Sequence, residues 1–199
     1  MATHLYTPSP SLTQFIDCFW FVDLHVPYTR EKILPSGKID LMINFGSPHK
    51  RYNKDETAYE LMKHSWIAGL QTGFIVNEPV AETCMIGVRF QPGGAYPFFD
   101  LPIAEITDLI IDTDCLWGRF VDEIREQLMA LPNISDKFAR LEQILLQKMD
   151  RDRLDTAVIQ FAVTSILKAN GILSVKQLSE EIGISHKHLI TQFKRAVGI

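Results

Sequence analysis

Residues 174–199 read SVKQLSEEIGISHKHLITQFKRAVGI. Ser174 followed three positions on by Gln177 is a capping-box pattern, which marks a helix start. Val175, Leu178 and Ile182 repeat at helical spacing, and Gly183 can adopt the left-handed conformation that ends a helix. Ile184 is an apolar plug within the turn, and Ser185 is a good N-cap for a second helix. On that second helix Leu189, Phe193, Ala196 and Val197 share one face, while Lys187, Thr191, Lys194 and Arg195 share the other. The pattern predicts a helix-turn-helix with a basic outer face. An ordinary helical hairpin with a solvated basic face is the alternative. The neighbouring His186 and His188 do not form a metal pair, because i and i+2 point about 200° apart on a helix.

Charge supports a polyanion contact at this end. The formal net charge is −4, yet residues 170–199 carry four cations against two anions, which leaves −6 on the remainder. An acidic body with a basic tip places any nucleic-acid contact at that tip. The major groove admits one α-helix, whose N-terminal residues reach base edges while later lysines and arginines neutralise phosphates.

Working back along the chain, three helical stripes precede this pair. Trp117, Phe120, Val121, Ile124 and Leu128 form the first. Ser135 is read as the cap of the second, with Phe138, Leu141, Leu145 and Met149. Asp152 is read as the cap of the third, with Leu154, Val158, Phe161, Ala162 and Ile166 facing inward and Asn170-Gly171 ending it. Before Pro97 the pattern is of strands and turns. KILPSGKIDLMINFG (residues 32–46) predicts a hairpin-like turn and a strand, and residues 47–65 read as a polar surface loop. WIAGLQTGFIVNEPV and ETCMIGVRFQPGG predict strands, and SLTQFIDCFWFVDL a short helix running into an aromatic strand. The expected class is α+β. Residues 1–111 form a β-rich sensor or dimerisation domain, with a cupin-like barrel as one possible form; residues 112–150 form a helical linker region, and residues 151–199 the helix-turn-helix unit.

Hydrophobic content of 46% and charged content of 22% suit a globular protein. No apolar run approaches the roughly 20 residues of a membrane helix. The start, MATHLYTPSPSLTQF, carries no export signal, and the three scattered cysteines (Cys18, Cys84 and Cys115) read as reduced thiols, so a cytoplasmic protein is expected.

Candidate binding residues in the front half are fewer. Arg89 lies among apolar residues in MIGVRFQPGG and needs a partner, either a carboxylate of the protein or an anionic ligand. Asp40 in KIDLMI is the mirror case, and a structural Arg–Asp bridge is the plainer reading of both. Phe15, Phe19, Trp20 and Phe21 belong to a core more readily than to a pocket, though a pocket lined by Trp20 stays open. Gln91-Pro92-Gly93-Gly94 reads as a turn rather than a phosphate cradle. No hydrolase elbow, zinc-protease helix or Walker loop is present, and His25, His49 and His64 are isolated, so no enzyme activity, metal or cofactor is expected.

Leu178, Gly183, Ser185, Leu189, Phe193, Lys194 and Gly198 fall on the pattern of the first helix-turn-helix of AraC/XylS-type transcriptional regulators, which this stretch resembles. Ser179 stands where that family usually has alanine, and Thr191 where it usually has arginine. Residues 69–108, with ILPSGKIDLMINFG and DCLWGRF, resemble an N-terminal domain found in a subset of the same bacterial-type regulators, one without an assigned ligand. The resemblance implies DNA and a small-molecule effector as partners, and a homodimer. It also implies that His186, Lys187, Ile190 and Thr191 face bases, with Lys194 and Arg195 nearer the backbone. Such regulators carry two helix-turn-helix units. Only the first is present up to Ile199, so the chain reads as truncated after it. The alternative expectation is a ligand- or partner-binding module that does not bind DNA by itself.

Overall fold

In this computed structural model, residues 2–24, 30–153 and 157–199 are described. Ten short strands run in chain order: β1 Ala2–Tyr6, β2 Ile16–Leu24, β3 Glu31–Ile33, β4 Asp40–Asn44, β5 His49–Tyr52, β6 Tyr59–Met62, β7 Ser65–Ala68, β8 Ile75–Pro79, β9 Thr83–Phe90 and β10 Ile110–Asp112. They form a six-stranded sheet of order β1-β2-β9-β4-β7-β10 and a four-stranded sheet of order β3-β8-β5-β6. All pairings are antiparallel. Among the described residues the two sheets stay separately hydrogen-bonded, so the strands do not close into a barrel.

Period-2 alternation divides the large sheet into two faces. Phe19, Phe21, Leu41, Ile43, Ile67, Ile86 and Val88 point to the main core. Their alternates Trp20, Met42, Trp66 and Met85 form a separate cluster on the opposite face, toward the small sheet. The main-core face is covered by helices α2 Phe120–Ala130 and α3 Ile134–Lys148, which follow the short α1 Asp114–Trp117. Ile124, Leu128, Leu141 and Leu145 are fully buried there. Residues 112–150, expected as a linker, thus share one core with the strands. An aromatic layer completes it: Trp117 stacks on Phe99 at 5.3 Å and donates its indole N–H to the Phe98 carbonyl at 3.0 Å.

Several expectations are corrected. β3 and β4 lie in different sheets, so Pro35-Ser36-Gly37 joins sheets rather than closing a hairpin. The polar stretch 47–65 contains β5 and β6, which pair with each other as the edge of the small sheet; strands with one solvated face carry enough polar residues to pass for a loop. The cap of α3 is Asn133, not Ser135, which lies inside the first turn. Helix α4 Ala157–Lys168 buries Ile159 and Ala162, whereas Phe161 is 49% exposed. Asp152 lies in a short 3-10 turn, Arg151–Arg153, and Leu154 and His25 fall outside the described residues.

Candidate functional site

Two regions concentrate polar side chains in positions that packing alone does not require. The first is a cavity of about 340 Å³ between the two sheets. Trp20, Asp40 and Arg89, singled out from sequence, all line it. Asp40 and Arg89 are cross-strand partners on β4 and β9, as are Trp20 and Gly87 on β2 and β9. Arg89 donates through Nε at 2.9 Å and Nη2 at 3.2 Å to the Asp40 carboxylate, and Trp20 Nε1–H reaches Asp40 Oδ1 at 3.4 Å. Burial alone would lower the Arg89 pKa, but the hydrogen bonds and charge of Asp40 more than reverse it, so the pair is ionised. The protein carboxylate is therefore the partner Arg89 required. Gly87 is the reason Trp20 lies where it does: a Cβ there would come within 2.0 Å of indole Cε2.

Opposite them, the small sheet presents residues that sequence reasoning left aside. His49 and Arg51 occupy alternate positions on β5 and so share a face, and both line the cavity. Thr83, at the start of β9, lines it as well. His49 is 2% exposed and packs against Trp66 with ring centroids 5.5 Å apart. The Asn77 amide nitrogen lies 3.2 Å from His49 Nδ1 and 3.2 Å from Glu31 Oε1. Burial pushes the His49 pKa below its ordinary 6.5, against the opposing Asn77 hydrogen bond, so the imidazole is neutral at pH 7. The legible signal was the His-Lys-Arg-Tyr alternation, hidden by its position in an apparently polar loop. The rim is formed by residues 33–36, where Leu34 is 74% exposed, so the cavity opens to solvent there.

The second region is the helix pair α5 Val175–Ile182 and α6 His186–Ala196. The capping box is formed: Gln177 N–H donates to Ser174 Oγ at 3.1 Å, and Ser174 N–H donates back to Gln177 Oε1 at 3.1 Å. Gly183 is left-handed with φ of 78°, and Ser185 Oγ accepts from the His188 N–H at 3.2 Å. Leu178, Leu189 and Ala162 make a small core with Ile182, Ile184 and Phe193 packed on it. Val175, read as part of the apolar face, is exposed instead. His186, Lys187, Ile190, Thr191, Lys194 and Arg195 are all exposed on α6. The structure therefore brings these six together on one element, well apart in the fold from the Trp20–Asp40–Arg89 set. The Thr191 hydroxyl bonds back to the Lys187 carbonyl at 2.8 Å.

Arg195 is the exception to a free basic face, since its guanidinium lies 5.2 Å from the centroid of the Tyr96 ring. Ile159, Ala196 and Val197 join the main core, so the helix pair is seated on the β-rich body. The Gln91-Pro92-Gly93-Gly94 segment is the expected turn, closed by Gly94 N–H to the Gln91 carbonyl at 2.8 Å. Its Gly93, with φ of 78°, leaves room for Ile159, which a Cβ would approach to 2.9 Å. No described helix is long and apolar enough to cross a membrane.

A family model described as a domain of unknown function, DUF6597, matches residues 4–112. No curated protein matches the chain. Among solved structures, ToxT from Vibrio cholerae O395 is similar, at a TM-score of 0.43 and 8% identity, over 100% of this chain and 78% of that one. A second, apo ToxT from Vibrio cholerae strain SCE256 carrying K231A, has a TM-score of 0.40 and 10% identity over 88% of this chain and 79% of its own. The AraC-like transcriptional activator CuxR is similar at a TM-score of 0.34 and 11% identity, over 99% of this chain and 81% of its own.

Proposed function

The chain belongs to the family described as domain of unknown function DUF6597, and from that premise we propose that it is an AraC-type transcriptional regulator. In this reading the β-rich body senses a small molecule, and α5 and α6 form a helix-turn-helix that reads DNA. One observation carries it: the capped, Gly183-turned helix pair presents His186, Lys187, Ile190, Thr191 and Lys194 together on one solvent-facing side. The N-terminal part of α6 enters the major groove, and Lys194 meets phosphate. Catalysis plays no part in this reading, and the protein works in the cytoplasm as a homodimer.

The cavity supplies the effector site, and the seating of α4 and α6 on the body supplies the coupling. An effector shifts DNA affinity only if it binds two arrangements of that seating unequally. The test is an electrophoretic mobility assay with the 199-residue chain and promoter fragments. Retarded bands that weaken with salt support the reading, and no retardation at any salt overturns it.

A second reading is favoured by Arg195. Its contact with Tyr96 removes one cation from the DNA face, and a single small unit makes few phosphate contacts. In that reading the chain is a ligand- or partner-binding module without DNA binding of its own, and the same assay separates the two.

A further inference from the structure

His49 Nε2, Arg51 Nε and Thr83 Oγ1 are buried polar atoms without a hydrogen-bond partner, and all three residues line the cavity. Thr83 is 4% exposed, so solvent does not offer it a ready partner. Unpartnered buried groups are uncommon in native proteins because they forgo hydration without replacement. Three on one cavity wall mark a place where a ligand completes the bonding.

The direction of those bonds is readable. An amide nitrogen only donates, so Asn77 Nδ2 makes His49 Nδ1 the acceptor and places the imidazole proton on Nε2. Arg51 Nε–H is a donor, and the Thr83 hydroxyl can be one. The ligand must therefore offer acceptors.

Charge narrows the class further. Each cationic side chain on the wall is already in an ion pair: Arg89 with Asp40, Arg51 with Glu60, and Lys38 with Asp17. Glu31, linked through Asn77 to His49, adds a negative charge beside the donors. A ligand carboxylate would meet Glu31 without an uncompensated cation to offset it, and an ammonium would face donors. Met42, Met62, Met85, Trp20 and Trp66 supply an apolar, adaptable surround. The volume lies at the small end of the roughly 300–1,000 Å³ range of ligand pockets.

We propose that the cavity binds a compact, uncharged apolar molecule through a carbonyl or ether oxygen, held by His49 Nε2–H, Arg51 Nε–H and the Thr83 hydroxyl. This inference rests on the reading of the cavity as the effector site. The probes are acetophenone, benzoate and benzylamine, and the matching straight-chain methyl ketone, carboxylate and amine. They are titrated into the full chain, with tryptophan fluorescence and melting temperature as readouts. The expected result is saturable quenching and stabilisation by one or both ketones, and neither by the charged analogues.

Thr83→Val should weaken ketone binding about tenfold, the order expected for one lost hydrogen bond in a buried site. His49→Phe should do the same, and His49→Gln, which keeps an N–H donor, should recover part of it. Thr83→Val keeps shape and volume, so it reports even if a His49 variant misfolds. Binding of no ketone, equal binding of carboxylate or amine, or unchanged ketone binding by folded Thr83→Val overturns the inference. A chain that binds ketone but no DNA leaves the ligand class standing and removes only the regulator reading.

Discussion

The Thr107 hydroxyl donates a 2.7 Å hydrogen bond to the carbonyl oxygen of Gly198, across 91 residues of sequence. It joins the turn after the 3-10 segment Ile103–Ile106 to the end of α6. Gly198 has φ of 105°, and a Cβ there would lie 2.9 Å from that same hydroxyl and 3.1 Å from Ile103 Cγ2. The end of the helix pair is therefore latched to the body by one bond and one close backbone approach.

Removing the hydroxyl with Thr107→Val should loosen that latch by about 1 kcal/mol, the net worth of a typical hydrogen bond. Amide exchange at the C-terminal turn of α6 should quicken several-fold while the strands keep their protection. Hydrogen exchange read by mass spectrometry checks it, and uniform quickening across both sheets would show that the bond is not local in effect.

On the exposed face of α6, Lys187→Ala should change base preference, because this residue lies in the first turn of the reading helix. Lys194→Ala should weaken binding to all sequences and lower the salt slope by about 1. Arg195→Ala should have a smaller effect on DNA than Lys194→Ala, since its guanidinium is held over Tyr96. Anisotropy titrations at several salt concentrations decide this, and equal, salt-insensitive binding by all three variants would count against it.

Stability should depend on pH through His49. Its folded pKa is lowered by burial, so below the ordinary value of 6.5 the unfolded chain takes up a proton that the folded chain resists. The full contribution is present above pH 6.5 and is lost as pH falls through 6.5 toward the lower folded pKa. Denaturant unfolding at pH 7.5 and pH 5.5 should show the drop, and His49→Phe should reduce it; an unchanged pH dependence in that variant would remove His49 as its source.

Gly87→Ala should expel the Trp20 indole from its seat on β9, because the new methyl would overlap the ring. Overpacking of this kind costs about 1–3 kcal/mol. The Trp20 N–H would lose Asp40, and the cavity would shrink. Chemical denaturation and the tryptophan emission maximum should both move, and an unperturbed spectrum would refute the placement of the ring.

Gly183→Ala offers a contrast, as nothing lies within 4 Å of the added Cβ. Only the left-handed backbone is strained, at about 1–2 kcal/mol. The melting temperature should fall modestly, and a neutral result would mean that the turn relaxes without Gly183.

The helix pair was legible in the sequence because its signals are local. Ser174, Gln177, Gly183 and Ser185 act within one or two turns, and each forms the cap or turn its spacing predicts. The three helical stripes were legible for the same reason, down to which residues of α2 face inward. Strand patterning located β4, β7, β8 and β9, whose apolar alternation is strong. It missed β5 and β6, whose polar residues face solvent on one side. The Arg89–Asp40 pair was foreseen as a need for a partner, because a half-buried charge must find one.

By itself the sequence determined the elements whose free energy is local: caps, turns, amphipathic stripes and the basic tip of the chain. Tertiary structure alone decided which strands share a sheet, since pairing between segments 20 to 50 residues apart leaves no periodic mark. It also decided that His49, Arg51 and Thr83 meet at one cavity with Trp20, Asp40 and Arg89. The seating of α6 on the body was likewise invisible beforehand. Thr107 and Gly198 carry no pattern in common, and only the packing of two distant surfaces brings a hydroxyl within bonding distance of a carbonyl.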